Sequence, residues 1–213
     1  HNSRTLKCDA DAIGIAAGLI KAGEIVAVPT ETVYGLAGNA LNSNAVAAIY
    51  TAKGRPSFNP LIVHINDRAM ADALAEFNPV AERLAAAFWP GALTMILPVR
   101  PNSGLSPLVT AGLPTVALRM PAHDAMRALI ASSGVPLAAP SANASGGISP
   151  TSAAHVLASR NGRIPLILDA GETECGLEST IIAPEPDCIR MLRPGPVTAE
   201  SIAQVAGVAV QKN

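Results

Sequence analysis

The chain has 213 residues, of which 49% are hydrophobic, 15% are charged and only 3% are aromatic, and its formal net charge at pH 7 is −1. This length is enough for one large domain or two small ones with a sizeable core. The near-neutral charge and the scarcity of aromatic residues argue against a protein that binds nucleic acid through a basic surface or through stacking platforms.

Hydrophobic periodicity and turn residues predict a chain in which helices and strands alternate. Asp9 is a suitable N-cap for the first helix, and Ser43 is the predicted cap of the second. The predicted helices span 9–21, 43–52, 68–76, 79–88, 124–132, 151–159 and 198–205. The predicted strands span 24–28, 61–65, 93–99, 115–120, 137–140, 166–169, 179–183 and 188–192, and 32–36 fits either a strand or an extended loop. Without an internal repeat or a low-complexity linker, this pattern favours a single α/β domain with a twisted, mixed sheet.

A loop broken by glycine and proline follows the second predicted helix and carries Lys53, Arg55 and Asn59. The chain has four lysines, and Lys53 is the one that lies inside such a loop. Two cations, a hydroxyl and an amide on a stiffened loop suit a wall that binds anions. For the Lys-x-Arg spacing alone, a solvated basic loop is the favoured alternative.

A second loop, 141–149, consists of small residues and precedes the helix at 151–159. Ser149 is a good N-cap and Pro150 suits the first helical position. Backbone donors at a helix N-terminus, together with Ser141 and Asn143, fit a phosphate group. An ordinary strand-to-helix turn accounts for this loop about equally well.

Two polar side chains interrupt apolar strands. Arg119 follows Val116, Ala117 and Leu118, and an arginine in that setting requires a carboxylate partner. The partner is either internal, Glu178 for example, or a ligand. His64 ends another apolar strand, where a satisfied core histidine is the commoner outcome. The nucleotide-binding motifs G-x-x-x-x-G-K-[ST] and G-x-G-x-x-G are both missing.

Five short motifs occur in a fixed order along the chain. They are P-T-E-T-V-Y-G-L (29–36), K-G-R-P-x-x-N-P-L (53–61), S-A-N-x-S-G (141–146), E-S-T-I (178–181) and L-R-P-G (192–195). Each is weak alone, but their combination closely resembles the YrdC-like family of threonylcarbamoyl-AMP synthases, from about residue 9 to about residue 202. The resemblance implies an open α/β sheet with a concave electropositive groove.

The family resemblance also implies an activity and a site. Members make L-threonylcarbamoyladenylate from L-threonine, bicarbonate and ATP and release pyrophosphate, for the threonylcarbamoyladenosine modification of tRNA. By this resemblance the catalytic residues are Lys53, Arg55, Ser141 and Asn143. The implied ATP-binding residues are Arg55, Asn59, Thr115, Ser141, Ser149 and Arg193. The implied threonine-binding residues are Thr32, His64, Arg119, Ala139 and Ser179.

Cofactors and partners follow from the same resemblance. ATP is a substrate, and Mg²⁺ is expected to be carried by its phosphates, because the matched positions form no carboxylate cage. The product is expected to pass to the tRNA-modifying transferase complex. Two alternatives remain open: a module that binds tRNA or double-stranded RNA, and a carbamoyl-transfer domain of a maturation enzyme.

Location and domain limits complete the expectations. The cysteines, Cys8, Cys175 and Cys188, have no C-x-x-C spacing and fit reduced cytosolic thiols, and no apolar run is long enough for a membrane span. We therefore expect a cytoplasmic protein without a membrane partner. Residues 9–202 are expected to form the catalytic domain. Residues 203–213 are expected to be a C-terminal tail, which either ends a one-domain form or begins a linker to a second domain.

Overall fold

The computed structural model describes residues 3–54, 60–142, 150–160 and 164–212, with the backbone alone at 157–160. The helices in these residues are α1 (Ala10–Lys21), α2 (Ser43–Lys53), α3 (Arg68–Leu74), α4 (Pro79–Phe88), α5 (Asp124–Ser133), α6 (Ala153–Arg160) and α7 (Ala199–Ala206). The strands are β1 (Arg4–Lys7), β2 (Val26–Pro29), β3 (Tyr34–Asn39), β4 (Ile62–His64), β5 (Leu93–Pro98), β6 (Thr115–Arg119), β7 (Leu137–Ala138), β8 (Leu166–Asp169), β9 (Thr180–Pro184), β10 (Ile189–Arg193) and β11 (Val210–Lys212). Every helix and strand that the sequence predicts is present, with ends that differ by a few residues.

The strands form one open sheet in the order β1-β8-β2-β3-β7-β4-β6-β5-β9-β10-β11. The sheet is mixed, because it contains parallel pairs, such as β4 with β6, and antiparallel pairs, such as β5 with β6. Successive residues of a strand face opposite sides of the sheet, and each side has its own apolar core. In β2, Val26 and Val28 pack in the core under α1 and α5, whereas Ala27 packs in the larger core on the other side. The predicted single α/β domain with an open, mixed sheet and flanking helices is confirmed, while the positive potential of its groove stays a prediction.

Polar caps set the ends of several helices. The Asp9 carboxylate accepts a hydrogen bond from the Ala12 N–H at 2.8 Å, as predicted. The prediction that Ser43 caps α2 is wrong, because the Asn42 side chain accepts from the N–H groups of Asn44 and Ala45. The Ser43 hydroxyl instead lies 2.7 Å from the Ser106 hydroxyl. A side-chain oxygen at the N-cap satisfies amide groups that have no partner within the helix.

The sequence did not predict the two strands at the edges of the sheet. β1 pairs in parallel with β8, and β11 pairs in parallel with β10. Helix α7 extends to Ala206, one residue beyond its predicted end, and β11 follows it. Within the part of the chain that the structure describes, no helix is both long and apolar enough to cross a membrane.

Candidate active site

A cavity of about 390 Å³ lies on one face of the sheet. Strands β4, β6, β5 and β9 are neighbours in the sheet, and each presents alternate residues to this cavity. Because side chains two residues apart on a strand face the same side, polar and apolar residues from four strands converge there. The strand residues that line it are Ile62, His64, Ala117, Arg119, Ile96 and Ile181, and Ser179 lines it just before β9.

The walls of the cavity come from two connecting segments. Thr30, Thr32 and Val33 line it from the turn between β2 and β3, and Pro140 and Ser141 line it after β7. The second segment runs beside β3 because the Leu36 N–H donates to the Pro140 carbonyl at 2.8 Å. The segment after β7 is thus held by a backbone hydrogen bond against β3, the strand that follows the turn.

Gly35 allows these segments to approach closely. It forms a β-bridge with Ser141, and a Cβ atom at this position would lie 3.3 Å from the Ala139 Cβ and 3.5 Å from the Pro140 oxygen. The first contact is tight, so a larger residue at position 35 would require Ala139 to shift by a few tenths of an ångström.

Lys53 ends α2 and is buried, with 5% of its surface exposed. Its ammonium group donates a hydrogen bond to the backbone oxygen of Ser141 at 2.8 Å. Gly54 follows in the left-handed conformation, with a φ of 61°, and ends the helix. Lys53 does not itself line the cavity, but it holds a positive charge directly behind the Ser141 wall.

Arg119 is buried, and each nitrogen of its guanidinium contacts a protein group. Its Nη2 pairs with the Glu31 carboxylate, its Nη1 donates to the Thr32 hydroxyl at 3.1 Å, and its Nε donates to the Gly91 carbonyl at 3.1 Å. Burial lowers the pKa of Arg119, and the Glu31 carboxylate opposes this effect without cancelling it. The guanidinium nevertheless remains charged at neutral pH. Of the two kinds of partner left open by the sequence, the structure shows an internal one, Glu31 rather than Glu178.

His64 pairs in register with Arg119 on the neighbouring strand, and only 3% of its surface is exposed. Among the described residues, its Nδ1 atom has no hydrogen-bond partner. Burial, and secondly the charge of Arg119, lowers the pKa of His64 to about 3. A neutral imidazole therefore lines the cavity without adding a charge to it.

The depressed pKa of His64 predicts how stability depends on pH. Between pH 6.5 and about 3 the unfolded chain binds a proton at this position that the folded chain does not bind. The free energy of unfolding should therefore fall, as the pH is lowered through this window, by up to about 1.4 kcal/mol per pH unit. Urea titrations of wild type and of His64→Asn should differ in this slope. His155→Asn, at an exposed position on α6, is the control, and equal slopes for wild type and His64→Asn would contradict the assignment.

Arg193 reaches the cavity because of an irregularity in β10. Met191 pairs with Ile182, but the register then shifts so that Arg193 pairs with Ile181. This bulge places Leu192 and Arg193 opposite the same residue, and both line the cavity. With regular pairing, Arg193 would lie opposite Thr180 and face the other side of the sheet.

Polar contacts hold the Arg193 side chain in place. Its Nε donates to the Ser179 carbonyl at 2.9 Å and its Nη2 to the Ser179 hydroxyl at 3.2 Å, and its Nη1 lies 3.4 Å from the Glu178 carboxylate. Gly195 brings the next turn close to this segment, because a Cβ there would lie 2.5 Å from the Thr180 nitrogen. The guanidinium is therefore oriented by the residues that lead into β9.

The structure brings most of the predicted site residues together. Thr32, His64, Arg119, Ala139, Ser141, Ser179 and Arg193 all line the cavity, and Lys53 contacts it through Ser141. Thr115 does not line it but lies on the same face of β6, two residues from Ala117. Arg55, Asn59, Asn143 and Ser149 lie outside the described residues.

Sequence reasoning missed three residues that shape the site: Glu31, Thr30 and Thr94. The Thr30 hydroxyl forms a hydrogen bond with the Thr32 hydroxyl at 2.8 Å. The Thr94 hydroxyl forms one with the Ser179 hydroxyl, also at 2.8 Å. A signal was available for each of them. Thr30 and Glu31 belong to the P-T-E-T motif, and Thr94 is the one polar residue of the apolar strand β5.

A metal ion bound by the protein itself would need a cluster of acidic, histidine or cysteine side chains. In the ranges that the structure describes, no three of them are placed to hold a metal ion. All three cysteines are free thiols.

Comparison with known proteins places this fold and cavity in a family. The Sua5/YciO/YrdC family model, described as "Telomere recombination", matches residues 18–195. Threonylcarbamoyl-AMP synthase from Bacillus subtilis (strain 168) is 55% identical over 196 residues, which cover 92% of this chain and 56% of that protein. Putative threonylcarbamoyl-AMP synthase from Mycobacterium tuberculosis is 40% identical over 194 residues, which cover 91% of this chain and 88% of that protein.

A solved structure shows the same fold. The crystal structure of Pyrococcus abyssi Sua5 complexed with L-threonine superposes with a TM-score of 0.90 at 47% identity, covering 99% of this chain and 62% of that one. The present chain thus spans little more than half the length of the Bacillus relative. The matched family model and these identities together show that the chain belongs to the Sua5/YciO/YrdC family.

Proposed function

We propose that this protein catalyses the ATP-dependent synthesis of L-threonylcarbamoyladenylate from L-threonine, bicarbonate and ATP. The observation that carries this proposal is the convergence of two predicted sets of residues on one cavity. Thr32, His64, Arg119, Ala139 and Ser179 form the proposed threonine subsite. Ser141 and Arg193, with Lys53 behind them, form the proposed phosphate side. The name shared by the relatives supports this activity over an RNA-binding module or a carbamoyl-transfer domain.

The proposed reaction has two steps. The threonine amine forms a bond to the bicarbonate carbon and water leaves, which gives a carbamate. A carbamate oxygen then attacks the α-phosphorus of ATP, and the bond from that phosphorus to the pyrophosphate oxygen breaks. Neither step requires a covalent intermediate on the protein, so positioning of the substrates and neutralisation of their charge can supply most of the catalysis.

The chemistry of each side chain indicates which substrate group it is proposed to bind. The Arg119 guanidinium suits the threonine carboxylate, and the neutral His64 imidazole suits a hydroxyl or amine without repelling it. The cations Lys53 and Arg193 suit phosphate oxygens. We extend the ATP subsite to Arg55, Asn59, Thr115 and Ser149, and the reacting centre to Arg55 and Asn143, on the family resemblance alone.

Magnesium enters the proposal with the nucleotide. Mg²⁺ is commonly bound through substrate phosphates and only one or two carboxylates, and the described residues contain no cluster of metal ligands. We therefore assign the ion to the triphosphate. We also propose that the product passes to a tRNA-modifying transferase complex in the cytoplasm, and that residues 9–202 form the catalytic domain.

Pyrophosphate release tests the proposal. The protein should release pyrophosphate when ATP, L-threonine and bicarbonate are all present, and release should fall to background when any one of the three is omitted. Release that continues without threonine would indicate a different adenylating activity. An inactive protein that still binds L-threonine in calorimetry would support the subsite but contradict synthesis by this chain alone.

A further inference from the structure

Thr94 lies between two residues of the proposed threonine subsite. On one side it pairs in register with Arg119 of β6, and on the other side its strand runs parallel to β9, which begins next to Ser179. Residues directly opposite each other on neighbouring strands share a face of the sheet. Thr94 therefore faces the cavity side of the sheet, but it is completely buried and cannot touch a substrate.

Within the described part of the chain, the Ser179 hydroxyl has two hydrogen-bond partners. The Thr94 hydroxyl lies 2.8 Å from it, and Arg193 Nη2 lies 3.2 Å from it. A guanidinium only donates hydrogen bonds, so Ser179 Oγ accepts from Arg193. The direction of the Thr94–Ser179 bond decides where the Ser179 proton points.

Burial determines that direction. Among the described residues, the Thr94 hydroxyl has Ser179 Oγ as its single partner. If Ser179 donated, the Thr94 proton would be left buried without an acceptor, which costs much of the desolvation energy of the group. If Thr94 donates, its own proton is satisfied, and the Ser179 proton is left for the cavity that Ser179 lines.

We propose that Thr94 is a positioning residue that fixes the Ser179 hydroxyl as a hydrogen-bond donor to an acceptor oxygen of the bound amino acid, of which the carboxylate is the fitting class. Both acceptor positions of Ser179 Oγ are then occupied, by Thr94 and by Arg193, so its proton can only point into the cavity. This inference rests on the proposed threonine site and assigns a role to a residue that lies outside the cavity lining. It also explains a lone polar side chain in the apolar strand β5.

The test is calorimetric titration of L-threonine into wild type, Thr94→Val and Thr94→Ser. Valine keeps the shape of threonine without the hydroxyl, and we expect an approximately ten-fold weaker affinity for L-threonine, the size of one hydrogen bond to a charged group. Serine keeps the hydroxyl and should bind L-threonine like wild type. The affinity for ATP should be unchanged in both variants. Thr110→Val, which removes another buried hydroxyl away from the cavity, should bind L-threonine normally.

A double-mutant cycle shows whether Thr94 acts through Ser179. In a Ser179→Ala background, Thr94→Val should have no further effect on L-threonine affinity. Thr94→Ala provides a second variant without the hydroxyl, in case the valine variant does not fold. Unchanged or tighter binding by the hydroxyl-free variants, or an equal loss in Thr94→Ser, would overturn the inference. If the wild type itself binds no L-threonine, the proposed function fails and the inference falls with it, whereas normal binding by both wild type and Thr94→Val overturns only the inference.

Discussion

Replacing Lys53 by alanine should lower the rate of adenylate synthesis by about 10²- to 10³-fold, the usual effect of losing one fixed donor of an active site. The ammonium group is buried and anchored 2.8 Å from the Ser141 oxygen, so its charge is already oriented before ATP binds. Water cannot replace a fixed positive charge of this kind behind reacting phosphates. Steady-state pyrophosphate release at saturating substrates measures the effect.

Lys21→Ala is the matched control for Lys53. Lys21 also occupies the last turn of a helix, but it is exposed and lies on α1. Turnover by Lys21→Ala should equal that of wild type, and circular dichroism should show both variants folded. Turnover by Lys53→Ala within two-fold of wild type would mean that Lys53 only ties α2 to the segment after β7.

The largest effect on threonine binding is expected from Arg119→Ala. We expect the affinity for L-threonine to fall by about 100-fold or more, because a charged hydrogen-bonding partner of the substrate carboxylate is lost. The free energy of unfolding should also fall by roughly 3 kcal/mol, because Glu31 is left partly buried without its partner. Calorimetry and urea denaturation measure the two effects separately.

A second substitution separates the structural and binding roles of Arg119. In the double variant Arg119→Ala/Glu31→Gln the unpaired charge is removed, so part of the stability should return while threonine binding should not. Arg68→Ala is the control, because Arg68 is a half-buried arginine that pairs with Asp72 and Glu82 and does not line the cavity. It should leave the affinity for L-threonine unchanged. Normal affinity in Arg119→Ala would show that the Glu31 pair is the sole role of Arg119.

Local signals were sufficient for most of the fold. Helix α4 was predicted with its observed ends, because Asn78 caps it and Pro79 occupies its first turn. The edge strands β1 and β11 were missed, because Arg4–Lys7 and Val210–Lys212 are short and mostly exposed and lack an apolar pattern. The conformation of β1 depends on pairing with β8, which is distant in sequence. The conformation of β11 depends on pairing with β10, from which it is separated by α7.

The candidate site was predictable in its members but not in its contacts. The L-R-P-G motif supplied Arg193, and the apolar strand around Arg119 singled that residue out. The carboxylate partner of Arg119 lies 88 residues away at Glu31, and only the order of the strands brings the two together. The register shift in β10 that turns Arg193 toward the cavity has no local signal either. The Thr94–Ser179 contact likewise depends on which strands are neighbours, because its two residues are 85 positions apart.

Mass spectrometry of the reaction product tests the central proposal most directly. The protein would be incubated with ATP, L-threonine and ¹³C-labelled bicarbonate. The adenylate product would then be isolated and its molecular mass determined. We expect one molecule that contains AMP, threonine and the labelled carbon, formed in proportion to the pyrophosphate released and formed at least about 100-fold more slowly by Lys53→Ala. An adenylate that lacks either threonine or the labelled carbon would contradict the proposal that this cavity joins all three substrates.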